Sequence, residues 1–422
     1  MATLFQVVRR AGGQNTVRIL LALVVGLLLG AALSEAPFLE RILAVAEPVG
    51  GMWLDALRMT IVPLVFSLLV VGVSSAADTA AAGGTAARAL GLFAILLLGS
   101  AAFGVLAVSG VLATWPAPSA AVAGLREAAG RSTATVPDFP GIGAWLRAFI
   151  PTNPLQAAVE TNMAPLVVFA LLFGLAVTRI KTDLRSAVVR LFEAVMDAML
   201  VLVQWVLFVA PIGVLALALI VGAKAGFGAA GALGHYILIL SGVCIAVGLL
   251  SYLIAVLAGV PLSAFARAAA PAQVVAFSTQ SSIASLPAMI AGARQLRTPE
   301  PVVGVVLPLA VSLFRITSPA ANIGVATYCA HVYGVQLNPA VVVAAIAVAA
   351  VISLASVGLP GQITFFTTTG PLCLVLGAPL ELLPILLAVE TIPDIFRTVG
   401  NVTADMAVTC LAGGAADDGE PT

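Results

Sequence analysis

Five polar residues in the last apolar stretch of the chain are spaced to lie on one side of a helix. At 100° per residue their side chains fall within an arc of about 100°. The opposite side of the same helix is apolar, so the pattern is a polar stripe on a hydrophobic helix. The stripe consists of Asp394, Arg397, Thr398, Asn401 and Asp405.

The stripe combines groups that suit a zwitterion. Arg397 can hold a carboxylate through two parallel hydrogen bonds, and Asp394 can hold an ammonium group. Asn401 and Asp405 offer hard oxygen atoms for a cation or a proton. An ionised group at mid-bilayer costs at least about 2.5–3.5 kcal/mol, so these groups must face a cavity or partners. The alternative is a structural ion-pair network. Glu390, one turn earlier, is expected nearer the surface and is not assigned as a ligand.

The composition explains why the stripe is unusual. Hydrophobic residues make up 61% of the 422 residues and charged residues only 9%, whereas soluble domains carry about 25% charged residues. We therefore predict an all-α polytopic membrane protein. The zero net charge gives no indication of nucleic acid. The four cysteines show no CxxC spacing and are interpreted as buried small residues.

Hydropathy predicts the first six membrane-spanning helices, and two further hydrophobic spans follow the polar interruptions described below, which gives eight. Basic residues near the N-terminus and after the fourth span place both termini in the cytoplasm by the positive-inside rule, with the 115–152 loop outside. We expect a multi-pass protein of the inner (plasma) membrane. The spans lie near 17–34, 59–77, 89–113, 162–178, 198–223, 237–259, 302–335 and 380–413.

Two polar segments interrupt the pattern in the second half of the chain. One runs from Ser278 to Pro287 and the other from Ser353 to Gly361. Non-helical backbone at membrane depth is tolerated only inside protein or beside a water-filled cavity, so both are predicted to be re-entrant hairpins. Paired broken segments are typical of transporters with inverted repeats. The alternative is two ordinary spans with serine-rich helix contacts.

The segment Asp394-Ile-Phe-Arg397-Thr398-Val-Gly-Asn401-Val-Thr-Ala-Asp405 resembles the glutamate/aspartate transporter family, the dicarboxylate/amino acid:cation symporters. The family pattern is Asp-x-x-Arg-Thr-x-x-Asn-Val-x-x-Asp. The resemblance implies an elevator-type transporter assembled as a homotrimer. It also implies substrate contacts by Asp394, Arg397, Thr398 and Asn401, completed by Ser281, Ser282, Ser318, Leu359 and Pro360.

The same resemblance divides the chain. Residues 1–260 would be mainly scaffold and trimerisation helices, with spans 3 and 6 moving with the transport domain. Residues 261–413 would form the transport core of hairpin 1, span 7, hairpin 2 and span 8. Residues 414–422 would be a cytoplasmic tail.

One motif departs from the family. Its seventh span carries Asn-Met-Asp-Gly-Thr, which builds sodium sites, whereas this chain has Phe314-Arg315-Ile316-Thr317-Ser318. At least one sodium site is therefore expected to be lost. Asn401 and Asp405 are retained from another, and Ser312, Ser353 and Ser356 could line a third.

Arg315 is expected to pair with Asp394 or Asp405. With Arg397, the two guanidinium groups balance the two carboxylates. The hypothesis is that Arg315 is a tethered replacement for a sodium ion. The alternative is that Arg315 extends to a watery vestibule while the remaining sites still couple sodium.

The predicted function is secondary transport of an acidic amino acid such as aspartate or glutamate, by symport or exchange, with reduced or altered sodium coupling. Sodium ions or protons are the candidate coupling ions, and no cofactor is expected. The alternative is a C4-dicarboxylate or neutral amino acid carrier, coupled to protons or sodium. An enzyme is not expected, because no HExxH or paired-Asp motif is present. A pure scaffold would not retain the buried charges.

Overall fold

The computed structural model describes residues 18–19, 21–34, 36–81, 84–117, 122, 147, 150–225, 228–355 and 361–413. Within these ranges all the regular structure is helical. The described residues form a short helix α1 (Leu21–Ala32) and fifteen further helices. These are α2 (Leu39–Ala81), α3 (Gly84–Thr114), α4 (Pro154–Val159), α5 (Met163–Val177), α6 (Thr182–Phe208), α7 (Ala210–Ala225), α8 (Gly228–Leu257), α9 (Leu262–Thr279), α10 (Ser282–Gln295), α11 (Glu300–Leu313), α12 (Thr317–Tyr333), α13 (Pro339–Ala355), α14 (Gly361–Leu376), α15 (Leu383–Val389) and α16 (Thr391–Gly413).

Long apolar helices confirm the prediction of a polytopic helical membrane protein. Five helical stretches among the described residues are long and apolar enough to cross a bilayer. Their apolar residues remain exposed on the outer surface, as lipid-facing side chains require. The five stretches are Leu39–Ser75, Gly84–Thr114, Thr182–Phe208, Gly231–Leu257 and Glu300–Tyr333.

Three predicted spans are not continuous helices, and one of them, expected over 380–413, is divided at Glu390 into α15 and α16. The span expected over 198–223 is divided at Val209 into α6 and α7, where Pro211 cannot donate a backbone hydrogen bond to the preceding turn. The span expected over 302–335 is divided between Leu313 and Thr317. Arg315 therefore lies in a break between two helices rather than inside one span.

The first polar interruption breaks the helix as predicted. Helix α9 ends at Thr279, and Gln280 adopts the left-handed conformation with φ of +50°. Ser281 then caps α10, because its hydroxyl accepts a hydrogen bond of 3.2 Å from the Ala284 amide. The resulting helix–turn–helix has its two arms packed together.

The second interruption also separates two helices. Helix α13 ends at Ala355, and α14 begins at Gly361 and packs against it. The residues predicted at this tip, Ser356, Leu359 and Pro360, lie outside the described residues.

Helix α16 occupies the centre of one group of helices, packed against α8, α9, α10 and α11. Helix α2 packs against α5, α6 and α7 in another group. Two glycines permit close contacts of α16 with α8 and α12. A Cβ atom on Gly400 would lie 2.5 Å from Thr317 Cγ2, and one on Gly248 would lie 3.3 Å from the Gly400 Cα atom. These glycines bring α8, α12 and α16 together.

The interpretation of the cysteines as buried small residues is confirmed. Cys244, Cys329, Cys373 and Cys410 are all buried and free.

Candidate functional site

The polar stripe of α16 is buried along its whole length. None of its five residues is more than 6% exposed. Burying ionised and amide groups to this degree requires partners. The contacts of these residues therefore indicate what the stripe can do.

Arg397 lies at the centre of the polar contacts. Its Nη1 atom donates a hydrogen bond of 3.2 Å to Asn322 Oδ1 on α12. Its Nε atom is 3.9 Å from Asp394 Oδ1, one helical turn earlier. Its Nη2 atom donates to Glu390 Oε1 at 2.5 Å. The guanidinium is thus held between two carboxylates and an amide.

The expectation that Glu390 lies near the surface is wrong. Its side chain is fully buried at the junction of α15 and α16. Tyr236 on α8 donates a hydrogen bond of 2.8 Å to Glu390 Oε2. Both carboxylate oxygens therefore have a donor, and this satisfies a charge that would otherwise be costly to bury. A sequence signal was present: Glu390 falls within the same ~100° arc as the stripe, one turn before Asp394.

A neutral cluster occupies the middle of the stripe. Thr317 begins α12 immediately after the break, and its amide and hydroxyl both donate to Asn401 Oδ1, at 3.0 and 2.7 Å. The same hydroxyl is 2.9 Å from the Arg397 carbonyl oxygen. In the preceding residue, the Ile316 carbonyl accepts a hydrogen bond from Ser100 on α3. Two oxygens that could coordinate a cation, those of Asn401 and Ile316, are thus already hydrogen-bonded.

Asp405 has a different environment at the far end of the stripe. Neither of its carboxylate oxygens has a hydrogen-bond partner among the described residues. The charge of Arg315 acts on this carboxylate and also on Asp394. Both candidate partners expected for Arg315 are therefore within its electrostatic range. Counted as ionised, the three buried carboxylates, Glu390 included, outnumber the two guanidiniums by one, whereas the predicted balance of zero counted only Asp394 and Asp405.

The predicted serines differ in their positions. Ser318 is buried in the first turn of α12, and Ser353 is buried near the end of α13. Ser281 and Ser282 are half-buried at the start of α10. Ser312 is exposed, and its hydroxyl donates to the Pro308 carbonyl of its own helix at 2.9 Å.

Within the described residues, the structure brings one set of predicted site residues together around two helix breaks. Arg397 and Asn401 are hydrogen-bonded to α12 through Asn322 and Thr317, and on their own helix Thr398 donates to the Asp394 carbonyl at 2.9 Å. A buried guanidinium beside carboxylates, within a bundle of membrane-spanning helices, is an arrangement for holding a charged solute away from lipid. Fold and site together define the class as an integral membrane transporter.

Comparison with known proteins identifies the family. The sequence matches the Sodium:dicarboxylate symporter family over residues 16–414, and the chain belongs to this family. This agrees with the resemblance found in the α16 motif.

Three relatives match over nearly the full chain. The chain is 26% identical to the "Proton/glutamate-aspartate symporter" of Escherichia coli (strain K12), covering 94% of this chain and 91% of the relative. It is 26% identical to the "Proton/sodium-glutamate symport protein" of Bacillus subtilis (strain 168), covering 92% and 89%. It is 24% identical to the "C4-dicarboxylate transport protein 1" of Pseudomonas aeruginosa (strain UCBPP-PA14), covering 98% and 89%.

Proposed function

We propose that this protein is a secondary transporter of acidic amino acids such as aspartate or glutamate. The observation that carries the proposal is Arg397, fully buried and one helical turn from Asp394. Arg397 would bind the side-chain carboxylate of the substrate and Asp394 would bind its ammonium group. Thr398 and Asn401, on the same face of α16, would complete the contacts. The names of the Escherichia coli and Bacillus subtilis relatives support this substrate class.

The second candidate is a C4-dicarboxylate carrier, favoured by the name of the Pseudomonas aeruginosa relative. The two substrates differ by an ammonium group, and Asp394 is the carboxylate available to receive it. The family resemblance implies that dicarboxylate-specific members tend to lack the Asp that Asp394 matches. Asp394 therefore favours the amino acid.

The substrate class is tested by binding to purified protein in detergent, measured as thermal stabilisation by aspartate, glutamate, succinate and alanine. Aspartate or glutamate should stabilise most. Asp394→Asn should weaken aspartate binding more than succinate binding. Equal loss for both substrates would make Asp394 a structural residue, and stabilisation by alanine alone would indicate a neutral amino acid carrier.

We further infer that sodium coupling is reduced or altered in this chain. Phe314, which replaces the family's Asn, stacks on Phe93 of α3 with ring centroids 4.7 Å apart. Asn401 Oδ1 is occupied by two hydrogen bonds from Thr317. Arg315 supplies a fixed positive charge near Asp394 and Asp405. A cation tethered to the chain cannot be released on the other side, so it cannot use a sodium gradient.

Uptake into liposomes under separate sodium and proton gradients tests this part of the proposal. We expect a proton gradient to drive uptake and a sodium gradient to have a weak effect. Strong sodium-driven uptake by the native protein would show that the retained candidate ligands, such as Asn401 and Asp405, still bind the sodium ion.

The transport cycle that we propose is an elevator motion of a homotrimer in the inner membrane, with both termini cytoplasmic. The core of residues 261–413 would move against the scaffold helices of 1–260, with spans 3 and 6 accompanying it. The packing of α16 with α8–α11 and of α2 with α5–α7 supports this division, and α13 and α14 of the proposed core contact α2. Both hairpin tips would close over the substrate. A disulfide between cysteines replacing Ser282 and Leu359 should then block exchange, and unchanged exchange in the fully crosslinked protein would exclude that gate.

A further inference from the structure

Both terminal nitrogen atoms of Arg397 are hydrogen-bonded in this structure, whereas its Nε atom has no hydrogen-bond partner among the described residues. Its Nη2 atom is bound to Glu390 at 2.5 Å and its Nη1 atom to Asn322 at 3.2 Å. A carboxylate that binds a guanidinium in bidentate fashion requires two of its nitrogen atoms. An incoming substrate carboxylate would therefore meet Glu390 already in its place.

We propose that Glu390 competes with the substrate for Arg397 and takes up the proton that allows the substrate to bind. This inference rests on the proposed function, because it assumes that the substrate presents a carboxylate to Arg397. In the empty site, the charged Glu390 neutralises Arg397. In the loaded site, a protonated Glu390 releases the guanidinium and the substrate carboxylate replaces it.

The charges of the site favour this exchange. Glu390, Asp394 and Asp405 against Arg397 and Arg315 leave one negative charge in the empty core. An acidic amino acid adds one more, because it carries two carboxylates and one ammonium. A single proton on Glu390 returns the loaded core to one negative charge. Like charges that are buried together strongly disfavour full ionisation, so a proton should accompany each substrate.

Titratable and charged groups surround Glu390 on several helices. On its own helix it faces Arg397 and Asp394. Helix α8 contributes Tyr236, which donates to Glu390, and Cys244, which lies near the Arg397 charge. Helix α12 contributes Cys329 near Tyr236. The titratable residues of α7 and α14, which pack against α15, are Lys224 and Cys373.

The proton step itself is simple. The Glu390 carboxylate takes one proton from water on the side where the substrate enters, and its bond to Arg397 breaks. The substrate carboxylate forms the replacement bond. On the other side the substrate leaves, the proton returns to water, and Glu390 binds Arg397 again. Tyr236 keeps its own proton and holds Glu390 Oε2 in both states.

The test measures aspartate binding by the purified native protein across a pH series. If one proton is required, the affinity should fall about tenfold for each pH unit above the point where Glu390 ionises. In Glu390→Gln, which mimics the protonated residue, this slope should disappear. Uptake driven by a pH gradient should also disappear, while exchange of labelled for unlabelled aspartate should continue.

Three further variants separate a proton carrier from a structural residue. Glu390→Asp should restore the pH slope, because it keeps the ionisable group. Tyr236→Phe removes the donor that stabilises the charged carboxylate, so the fall in affinity should begin at higher pH. Glu300→Gln, at the exposed start of α11, should behave like the native protein.

The outcomes are distinguishable. If the native protein binds aspartate without any pH dependence, or if Glu390→Gln keeps the slope and the pH-driven uptake, the inference is wrong and the proposed function stands. If Glu390→Gln does not fold, an unshifted pH profile in Tyr236→Phe is enough to reject the inference. If no acidic amino acid or dicarboxylate binds at any pH, the proposed function itself fails.

Discussion

Glu390 and Asp405 are both buried carboxylates on the same side of α16, and they are satisfied in different ways. Glu390 accepts hydrogen bonds from Arg397 and Tyr236. Asp405, about 22 Å further along the helix at 1.5 Å per residue, accepts none from the described residues. Its compensation is the electrostatic effect of Arg315. One carboxylate is held by direct bonds and the other only by a nearby charge.

The difference indicates how the two ends are used. A carboxylate in direct contact with Arg397, the proposed substrate-binding residue, can be displaced, so it suits a step that would repeat in every transport cycle. A carboxylate near a fixed positive charge has no bond to exchange, so it suits a permanent charge balance. The neutral cluster of Thr317 and Asn401 lies between them and separates the two functions.

The largest expected effect comes from removing Arg397. Arg397→Ala deletes the substrate's carboxylate partner and leaves Glu390 and Asp394 buried without it. Aspartate binding should weaken by about 2–5 kcal/mol, as for truncation of a buried charge pair. Isothermal titration measures this, with the exposed Arg294→Ala as the matched control. An unchanged affinity would remove Arg397 from the site.

The next largest expected effect is a difference in stability between variants of the two carboxylates, Glu390 and Asp405. Glu390→Gln breaks charge-assisted hydrogen bonds, so thermal unfolding in detergent should show a loss of about 1.5–3 kcal/mol. Asp405→Asn breaks no hydrogen bond to a described residue, and its loss should remain under about 1 kcal/mol. Equal losses of stability in the two variants would contradict the proposed difference between Glu390 and Asp405.

The cluster between the two ends can be tested through Gly400. A Cβ atom there would lie 2.5 Å from Thr317 Cγ2, so Gly400→Ala should displace Thr317 and cost about 1–3 kcal/mol by overpacking. Gly91→Ala is the control, because a Cβ atom on Gly91 meets nothing within 4 Å. Similar stability of both variants would mean that α8, α12 and α16 can separate without cost.

The smallest effect concerns ion dependence at the Asp405 end. In Arg315→Met the fixed cation is lost, and a sodium ion should then be needed to offset Asp405. We expect sodium to raise aspartate affinity about tenfold in this variant, or ~1.4 kcal/mol, and little in the native protein. A sodium titration of both proteins decides this. If the aspartate affinity of the native protein rises steeply with sodium, the hypothesis that Arg315 replaces a sodium ion is refuted.

Periodicity predicted the buried stripe correctly, because residues three, four and seven positions apart must share a helix face. The polar run from Ser278 to Pro287 predicted the break after Thr279 correctly, because polar residues packed this densely interrupt a helix where they occur. The eight-span count, the hairpin tip at 356–360 and the contacts of Leu359 and Pro360 stay predictions.

Sequence reasoning missed Glu390 although one of its two donors, Arg397, lies only seven positions later. Hydropathy places a single carboxylate near Pro393 at the edge of a span, and this favours a surface position. The second donor, Tyr236, lies 154 positions earlier, and no local pattern indicates it. The breaks at Val209 and Phe314 were missed for a related reason: helix continuity there is decided by packing, and apolar composition runs through both.

The fixed charge of Arg315 has a consequence for the membrane potential. Moving one elementary charge through 100 mV costs or yields about 2.3 kcal/mol. A bound sodium ion crosses the field only with the loaded carrier, so the voltage does net work on every cycle. In the proposed elevator cycle Arg315 would cross with the chain in both directions, and the two contributions would cancel. With one proton accompanying each acidic amino acid, the moving charge is the same on both journeys, and a voltage imposed across liposomes should leave the extent of accumulation unchanged.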